Sequence, residues 1–375
     1  MKRDALRKRD AFSGYLLLLC TLLSLTMANI GYGNAYLAFW NSPILGHPLS
    51  HWINDGLMAL FFLLVGLEIK REIFVGELRT PKRALLPVFA AVGGMLVPAA
   101  IYLALNFGQS TSAGFGIPMS TDIVFVVAIL ALLGVLAPPA LKVFMLTLAV
   151  IDDIGAVLII ALFYSTGIDI LYLSAAVLLF VVMLWLNKSR KVDAIWVYLL
   201  LGAVLWVLMM ASGVHATLAG ILTALAVPFR REAVTNPSEK LSRILHPLVY
   251  FVVLPSFVLS NTAVVLDGAM LRNLVQPHSL GIVAGLMIGK PLGIMLFSWL
   301  VLFVGWAEKP KNVTWRQLLG GACLGGIGFT MSVFIATLSF DDVVVVESAK
   351  IAVMLASAAS AVVGCALLKS MNNEQ

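Results

Sequence analysis

The chain has 375 residues, 61% of them hydrophobic and only 12% charged, and its mean hydropathy of +1.00 excludes an ordinary soluble domain. The formal charge of +6 does not point to nucleic acid, because the basic residues sit in short stretches between apolar runs. Cys20, Cys323 and Cys365 lie in separate apolar runs without metal-ligand spacing, which argues against a disulfide framework or a zinc site.

The few charges are segregated: no Asp, Glu, Lys or Arg occurs over 11–54, 84–121, 194–229, 317–340 or 351–368. A helix that crosses a bilayer needs roughly 20 apolar residues. The sequence therefore predicts an all-α integral membrane protein of about twelve transmembrane helices. The first is placed at 12–29; its length, with no small-residue cleavage pattern after it, favours a span over a cleaved signal peptide. The rest follow near 51–75, 85–106, 115–134, 139–164, 170–186, 194–211, 213–227, 246–264, 279–303, 315–338 and 346–369. As a single helix the run 194–229 would be about 54 Å long, too long to cross once, and Ser212-Gly213 divides it into two short spans.

With the N-terminus in the cytoplasm and spans alternating, the basic residues, Arg231 and Lys311 among them, gather on the cytoplasmic side. The exceptions are Arg272 and Lys350 on the opposite face and Lys290 within the tenth span. Both termini are thus expected in the cytoplasm. A short internal similarity links Ser120-Thr121-Asp122-Ile123-Val124-Phe125 to Phe329-Thr330-Met331-Ser332-Val333-Phe334. Each pairs a threonine with a phenylalanine four residues on and follows a Gly-rich entry. The two spans run in opposite directions, so the pattern predicts an inverted repeat with two crossed discontinuous helices around a midplane site.

Ionisable groups in the hydrocarbon are costly and point to function. Five stand out: Asp122, Asp152, Asp153, Lys290 and, nearer one end of its span, Asp55. For Lys290 the plain alternative is an acid–base tie between helices. For Asp55, Glu68 and Glu72, near the ends of the second span, interfacial solvation competes with function. Asp152 and Asp153 project about 100° apart on a helix, so one can face a partner helix and the other a cavity. Two close carboxylates in low dielectric repel, and desolvation favours their neutral forms. Such a group holds a proton or a hard cation, but not both comfortably, and that competition is the core of an exchanger.

Asp122 lies four residues after Pro118, where an interrupted helix would present a positive half-helix end to a carboxylate. Lys290 sits in Gly289-Lys290-Pro291; the proline removes a backbone donor, and glycines at 281, 285, 289 and 293 let another helix approach closely. His215 reads either as a pH sensor or as a hydrogen-bonded structural histidine at a short turn. His246 beside Pro247 and the loop histidines His47, His51 and His278 carry no usable signal.

Several stretches together carry a specific resemblance: Trp52-Ile53-Asn54-Asp55-Gly56-Leu57-Met58, Val65 to Glu72, Ser120-Thr121-Asp122, Ala149 to Gly155, Ser212 to Gly220, Ile288 to Gly293 and Gly326 to Ser332. Over nearly its whole length the sequence resembles the bacterial NhaA-type sodium/proton antiporters. The resemblance implies one transporter domain over 1–375 in a bacterial inner membrane. Its core bundle would lie near 85–164 and 279–369, its interface helices near 12–75 and 170–264. It implies electrogenic exchange of sodium or lithium for protons without a cofactor, and shutdown at acidic pH. By the same resemblance Asp153 is the main cation ligand, Asp152 the partner of Lys290, and Thr121 lines the site. Asp122 and Lys290 would balance the opposed half-helix ends.

Two departures bear on these implications. Ser242-Arg243 stand where members often carry an acidic residue and a histidine before the ninth span, which leaves Glu68, Glu72 and His215 as candidates for pH sensing. The loop from Ile30 to Ser50 is short beside the hairpin through which members dimerise, which weakens the implied homodimer. A sodium-coupled symporter of the same architecture would need an organic-substrate pocket, of which the sequence carries no sign. An intramembrane aspartyl protease is disfavoured because adjacent residues on one helix cannot face each other across a scissile bond. A channel fits buried carboxylates paired with a lysine less well than alternating access does.

Overall fold

In hydrocarbon every backbone N–H and C=O must be satisfied within the chain, so long apolar runs become helices. The computed structural model describes residues 2–165, 167–230, 236–310 and 312–370, and Arg231 and Lys311 lie outside these. In chain order the helices are α1 (Lys2–Asn29), α2 (Gly33–Trp40), α3 (Leu49–Phe74), α4 (Pro81–Leu105) and α5 (Ile123–Leu133), the last preceded by a tight 3-10 stretch, Ser110–Met119. Then come α6 (Pro139–Phe163), α7 (Ile170–Lys188), α8 (Ile195–Ala211), α9 (Leu218–Ala226), α10 (Pro237–Asn261) and α11 (Gly268–Asn273). The last are α12 (Pro277–Phe303), α13 (Trp315–Gly325), α14 (Phe329–Ser339) and α15 (Val343–Ser370).

Among the described residues nine of these segments are long and apolar enough to cross a membrane, and ten if the pair α13 and α14, bent by 43°, is one span. The expected twelve counted the bent pair as one span and 194–229 as two short spans. The break falls where expected: α8 ends at Ala211 and Gly213 takes a left-handed φ of +77°, a conformation that costs glycine nothing. The 17 residues of α8 fall just short of a standard span. The nine residues of α9 reach only about 14 Å at 1.5 Å per residue. Likewise the expected loop between the first two spans holds α2 and a minimal antiparallel hairpin, β1 (Pro43–Ile44) and β2 (His47–Pro48).

The chain divides into two compact units, Met1–Gly31, Glu77–Ala156 and Thr262–Gln375 in the first, Tyr32–Gly76 and Val157–Asn261 in the second. In the first unit α1 packs on α5, because Gly14 leaves room only for the methyl of Ala128. Asn29 completes the joint, donating to the Val264 carbonyl at 2.9 Å and accepting from Leu266 N–H at 2.7 Å. Its small-residue contact and the Asn29 bridge place α1 in the first of these compact units.

In the first unit α4 and α12 pack closely. A Cβ on Gly293 would strike the Gly93 carbonyl, and one on Gly93 would strike the Gly293 carbonyl and the Phe297 ring. Small residues of this kind drive helix association in lipid, where dispersion and not hydrophobicity supplies the contact energy. In the second unit Lys70, near the end of the expected second span, is buried. Its ammonium donates to the carbonyls of Leu225 at 2.8 Å, of Val227, and of Ala224 at 3.4 Å, closing the C-terminal end of α9.

Gly293→Val should lower thermal stability in detergent by about 1–3 kcal/mol, the usual cost of overpacking. A melting temperature equal to that of the parent would mean that α4 and α12 do not pack backbone to backbone.

Candidate ion site at two helix breaks

The first unit contains two interruptions, and they meet. Between Met119 and Ile123 the backbone is extended, with Ser120 at φ −87°, ψ 154° and Asp122 at φ −81°, ψ 99°. Pro118 lacks an N–H and so cannot donate within the 3-10 stretch, which ends one residue later at Met119. The second interruption is the Gly326–Gly328 link between α13 and α14. The strands of the crossing are joined by Asp122 N–H donating to the Ile327 carbonyl at 2.6 Å.

Each interruption leaves orphan N–H groups on one side and orphan carbonyls on the other. One carboxylate serves both N-terminal ends. Asp122 Oδ1 accepts from Val124 and Phe125 N–H at 3.0 and 3.3 Å, capping α5. Its Oδ2 accepts from Thr330 N–H at 2.9 Å and from the Thr330 hydroxyl at 2.5 Å, capping α14. A negative charge at two helix N-termini is favoured by both the caps and the helix dipoles. Ser357 Oγ on α15 accepts from Phe329 N–H at 3.2 Å. Ser332 donates to the Ile117 carbonyl at 2.6 Å and lies 3.2 Å from Ser120 Oγ.

The carbonyl ends receive the opposite charge. Lys290 donates to the carbonyl of Met119, the last residue of the 3-10 stretch. It follows a π-helical turn, Gly285–Gly289, a wide turn of the type found often at functional sites. Its Nζ lies 2.8 Å from Asp152 Oδ2, and both side chains are fully buried. The Thr121 hydroxyl is 2.6 Å from the same Asp152 oxygen and 2.9 Å from the Gly325 carbonyl that ends α13. Asp152 Oδ1 has no hydrogen-bond partner among the described residues. Asp153, one residue on along α6, is 2% exposed, and its charge acts on Lys290.

The structure thus gathers Thr121, Asp122, Asp152, Asp153 and Lys290 in the first unit. Asp55, Glu68, Glu72 and His215 all belong to the second. Asp55 sits in a π-helical turn, Trp52–Leu57; its carboxylate lies 3.2 Å from His51 Nδ1 and its carbonyl accepts from Trp206 Nε1 at 2.9 Å. Glu68 and Glu72 are half-buried on α3. His215 Nε2 meets the Tyr164 carbonyl at 2.8 Å, an arrangement of the structural kind. Thr330, Ser357 and His51 were not singled out from sequence. Thr330 was visible as the repeat partner of Thr121, and His51 stands at helical i, i+4 spacing from Asp55.

Removing the Lys290 ammonium leaves the Asp152 carboxylate buried without its counter-ion, and breaking a buried pair typically costs about 3–5 kcal/mol. Lys290→Ala should therefore lower the melting temperature of the purified protein clearly. An unchanged melting temperature would show that the pair does not hold the crossing together.

A model of the family described as Na+/H+ antiporter 1 matches residues 4–368. The Na(+)/H(+) antiporter NhaA of Cytophaga hutchinsonii is 48% identical over 362 residues, covering 96% of this chain and 93% of that protein. The NhaA of Dechloromonas aromatica is 47% identical over 355 residues, covering 94% and 91%, and that of Salmonella arizonae 43% over 376 residues, covering 97% of each. A match over nearly all of the chain, together with apolar helices that cross a membrane many times, places this multi-pass membrane protein in the Na+/H+ antiporter 1 family, whose members are transporters and not enzymes.

Proposed function

We propose that the chain extrudes sodium, and lithium in its place, from the bacterial cytoplasm across the inner membrane in exchange for protons. The observation that carries this reading is the Asp152 carboxylate. One oxygen is held by Lys290 and Thr121, and the other has no hydrogen-bond partner among the described residues, with Asp153 next in the helix. Asp153 is assigned as the principal cation ligand and Asp152 as the group that exchanges between ammonium and cation. Carboxylate oxygens are the natural ligands of a hard cation. In a dry site they release a proton when the cation arrives and take one up when it leaves.

In this reading the breaks exist so that unwound backbone can line an ion site at membrane depth. Asp122 and Lys290 hold the opposed half-helix ends, so no helix dipole faces the ion uncompensated. The two interrupted spans belong to an inverted repeat, the termini lie in the cytoplasm, and α8 and α9 complete twelve membrane segments. Transport is electrogenic, more protons entering than cations leaving, and each net charge moved inward gains about 2.3 kcal/mol per 100 mV.

Asp153→Asn keeps the side-chain shape but removes both the titratable proton and the anionic ligand. It should abolish sodium-dependent proton flux in everted vesicles while the protein still inserts; normal exchange would overturn the assignment. A second measurement addresses competition. In proteoliposomes at clamped potential, below the pH range where the site ionises, each unit fall in pH should raise the apparent sodium KM about tenfold for a one-proton site, a factor worth about 1.4 kcal/mol. The maximal rate should change little. A flat KM with a falling maximal rate would replace simple competition with gating by a separate pH sensor.

A further inference from the structure

We propose that a groove between α1, α5 and α15 binds one acyl chain of an anionic phospholipid, whose headgroup lies at the basic ends of α1 and α15. The groove encloses about 660 Å3 and belongs wholly to the first unit. Its described lining includes none of Thr121, Asp122, Asp152, Asp153 and Lys290.

Gly14 brings α1 against Ala128 of α5, yet Tyr15, Leu18 and Leu22 on the groove side of α1 stay exposed. Ile327 and Phe329, which flank the second helix break, form the buried floor. The hydroxyls on the wall are already engaged, Thr21 donating to the Leu17 carbonyl at 2.8 Å and Ser357 accepting from Phe329 N–H. The buried wall therefore offers a ligand dispersion contacts and not hydrogen bonds. From Ala11 to Leu25 the groove follows α1 for about 21 Å, enough to take a chain through one leaflet, about half of a 30 Å hydrocarbon core. Spread over that length, 660 Å3 gives a width of about 6 Å, roughly half that of a helix with its side chains. An extended alkyl chain fits this space, and a helix of a second copy does not.

The two ends of the groove differ in charge. Ile351 and Met354 of α15 cluster with Leu25 of α1, so α15 runs antiparallel to α1 and its C-terminal end lies beside the N-terminal end of α1. Before Ala11, α1 carries Lys2, Arg3, Arg7, Lys8 and Arg9 against only Asp4 and Asp10. At the same end α15 carries the exposed Lys369 in its last turn. The other end, at Leu266 and Met270, adjoins an acidic residue, Asp267, which caps α11. A basic cluster immediately outside a span attracts anionic headgroups. An apolar groove that opens at such a cluster selects a lipid with a hydrocarbon chain and a net negative head, and it fixes which way the lipid points.

Native mass spectrometry of the full chain in detergent tests the proposal, with phosphatidylglycerol or phosphatidylcholine of the same chain length added. The parent protein should retain one phosphatidylglycerol per chain and hold phosphatidylcholine at least about tenfold more weakly, a difference worth about 1.4 kcal/mol. Ala358→Trp, which places an indole in the groove from α15, should remove the retained lipid with an unchanged melting temperature in lipid-free detergent. Joint replacement of Lys8, Arg9 and Lys369 by Gln should reduce phosphatidylglycerol to the level of phosphatidylcholine. Phosphatidylglycerol with a diazirine in its acyl chain should crosslink to 11–25 and 351–361 of the parent, and an excess of unlabelled phosphatidylglycerol should suppress those crosslinks. Equal retention of the two lipids, retention by Ala358→Trp at the parent level, or crosslinks that no competitor suppresses would each overturn the assignment. A lipid-free dimer that Ala358→Trp splits would show instead that a second copy covers the groove.

Discussion

The constraint on which the rest of the first unit depends is that a broken helix inside a membrane exposes backbone groups that no water can satisfy. Two breaks are tolerable here because they cross, so that like ends can share a counter-charge. Asp122 answers the N–H ends of α5 and α14 with one carboxylate. Lys290 and Thr121 answer the carbonyl ends at Met119 and Gly325. The same Lys290 and Thr121 hold Asp152, so the groups that keep the backbone stable also set the electrostatics of the carboxylate pair. Backbone stability and the electrostatics of the carboxylate pair are therefore linked at this point in the fold.

Much of this was legible in the sequence because charges in hydrocarbon are scarce. Asp122, Asp152, Asp153 and Lys290 are conspicuous among apolar neighbours, and the Gly- and Pro-rich entries announce where helix must fail. Less visible were partners whose type is common. Thr330, Ser332 and Ser357 are ordinary residues of apolar helices, and only the crossing shows that they satisfy backbone ends. Lys70 is a related case: nothing at the end of an apolar run shows that its long side chain turns inward to the carbonyls of Leu225 and Val227. The length of α9 was also beyond reach, since hydropathy marks an apolar run but not how much of it forms helix.

The second unit solves its own backbone problem with long polar side chains at one end. Besides Lys70, Asn187 donates to the Ala226 carbonyl at 2.9 Å, and Arg230 donates to the Asn187 carbonyl at 2.9 Å while pairing with Asp193 at 3.1 Å. A nine-residue helix with little length to stabilise itself is thus closed by side chains from α3 and α7. At the other end of α3 the polar groups are His51 and Asp55, beside a turn of widened pitch. Lys70 and Arg71 stand with Glu68 and Glu72 at one end of α3, and His51 stands with Asp55 at the other.

The double cap on Asp122 has a mechanical consequence. Because one carboxylate is bonded to the first turns of both α5 and α14, neither half-helix can slide or rotate against the other without stripping hydrogen bonds from a buried charge. The crossing therefore behaves as a rivet. Any motion that presents the carboxylate pair first to one side of the membrane and then to the other must carry both breaks together as a stiff body, with the compliance placed in the connections around it.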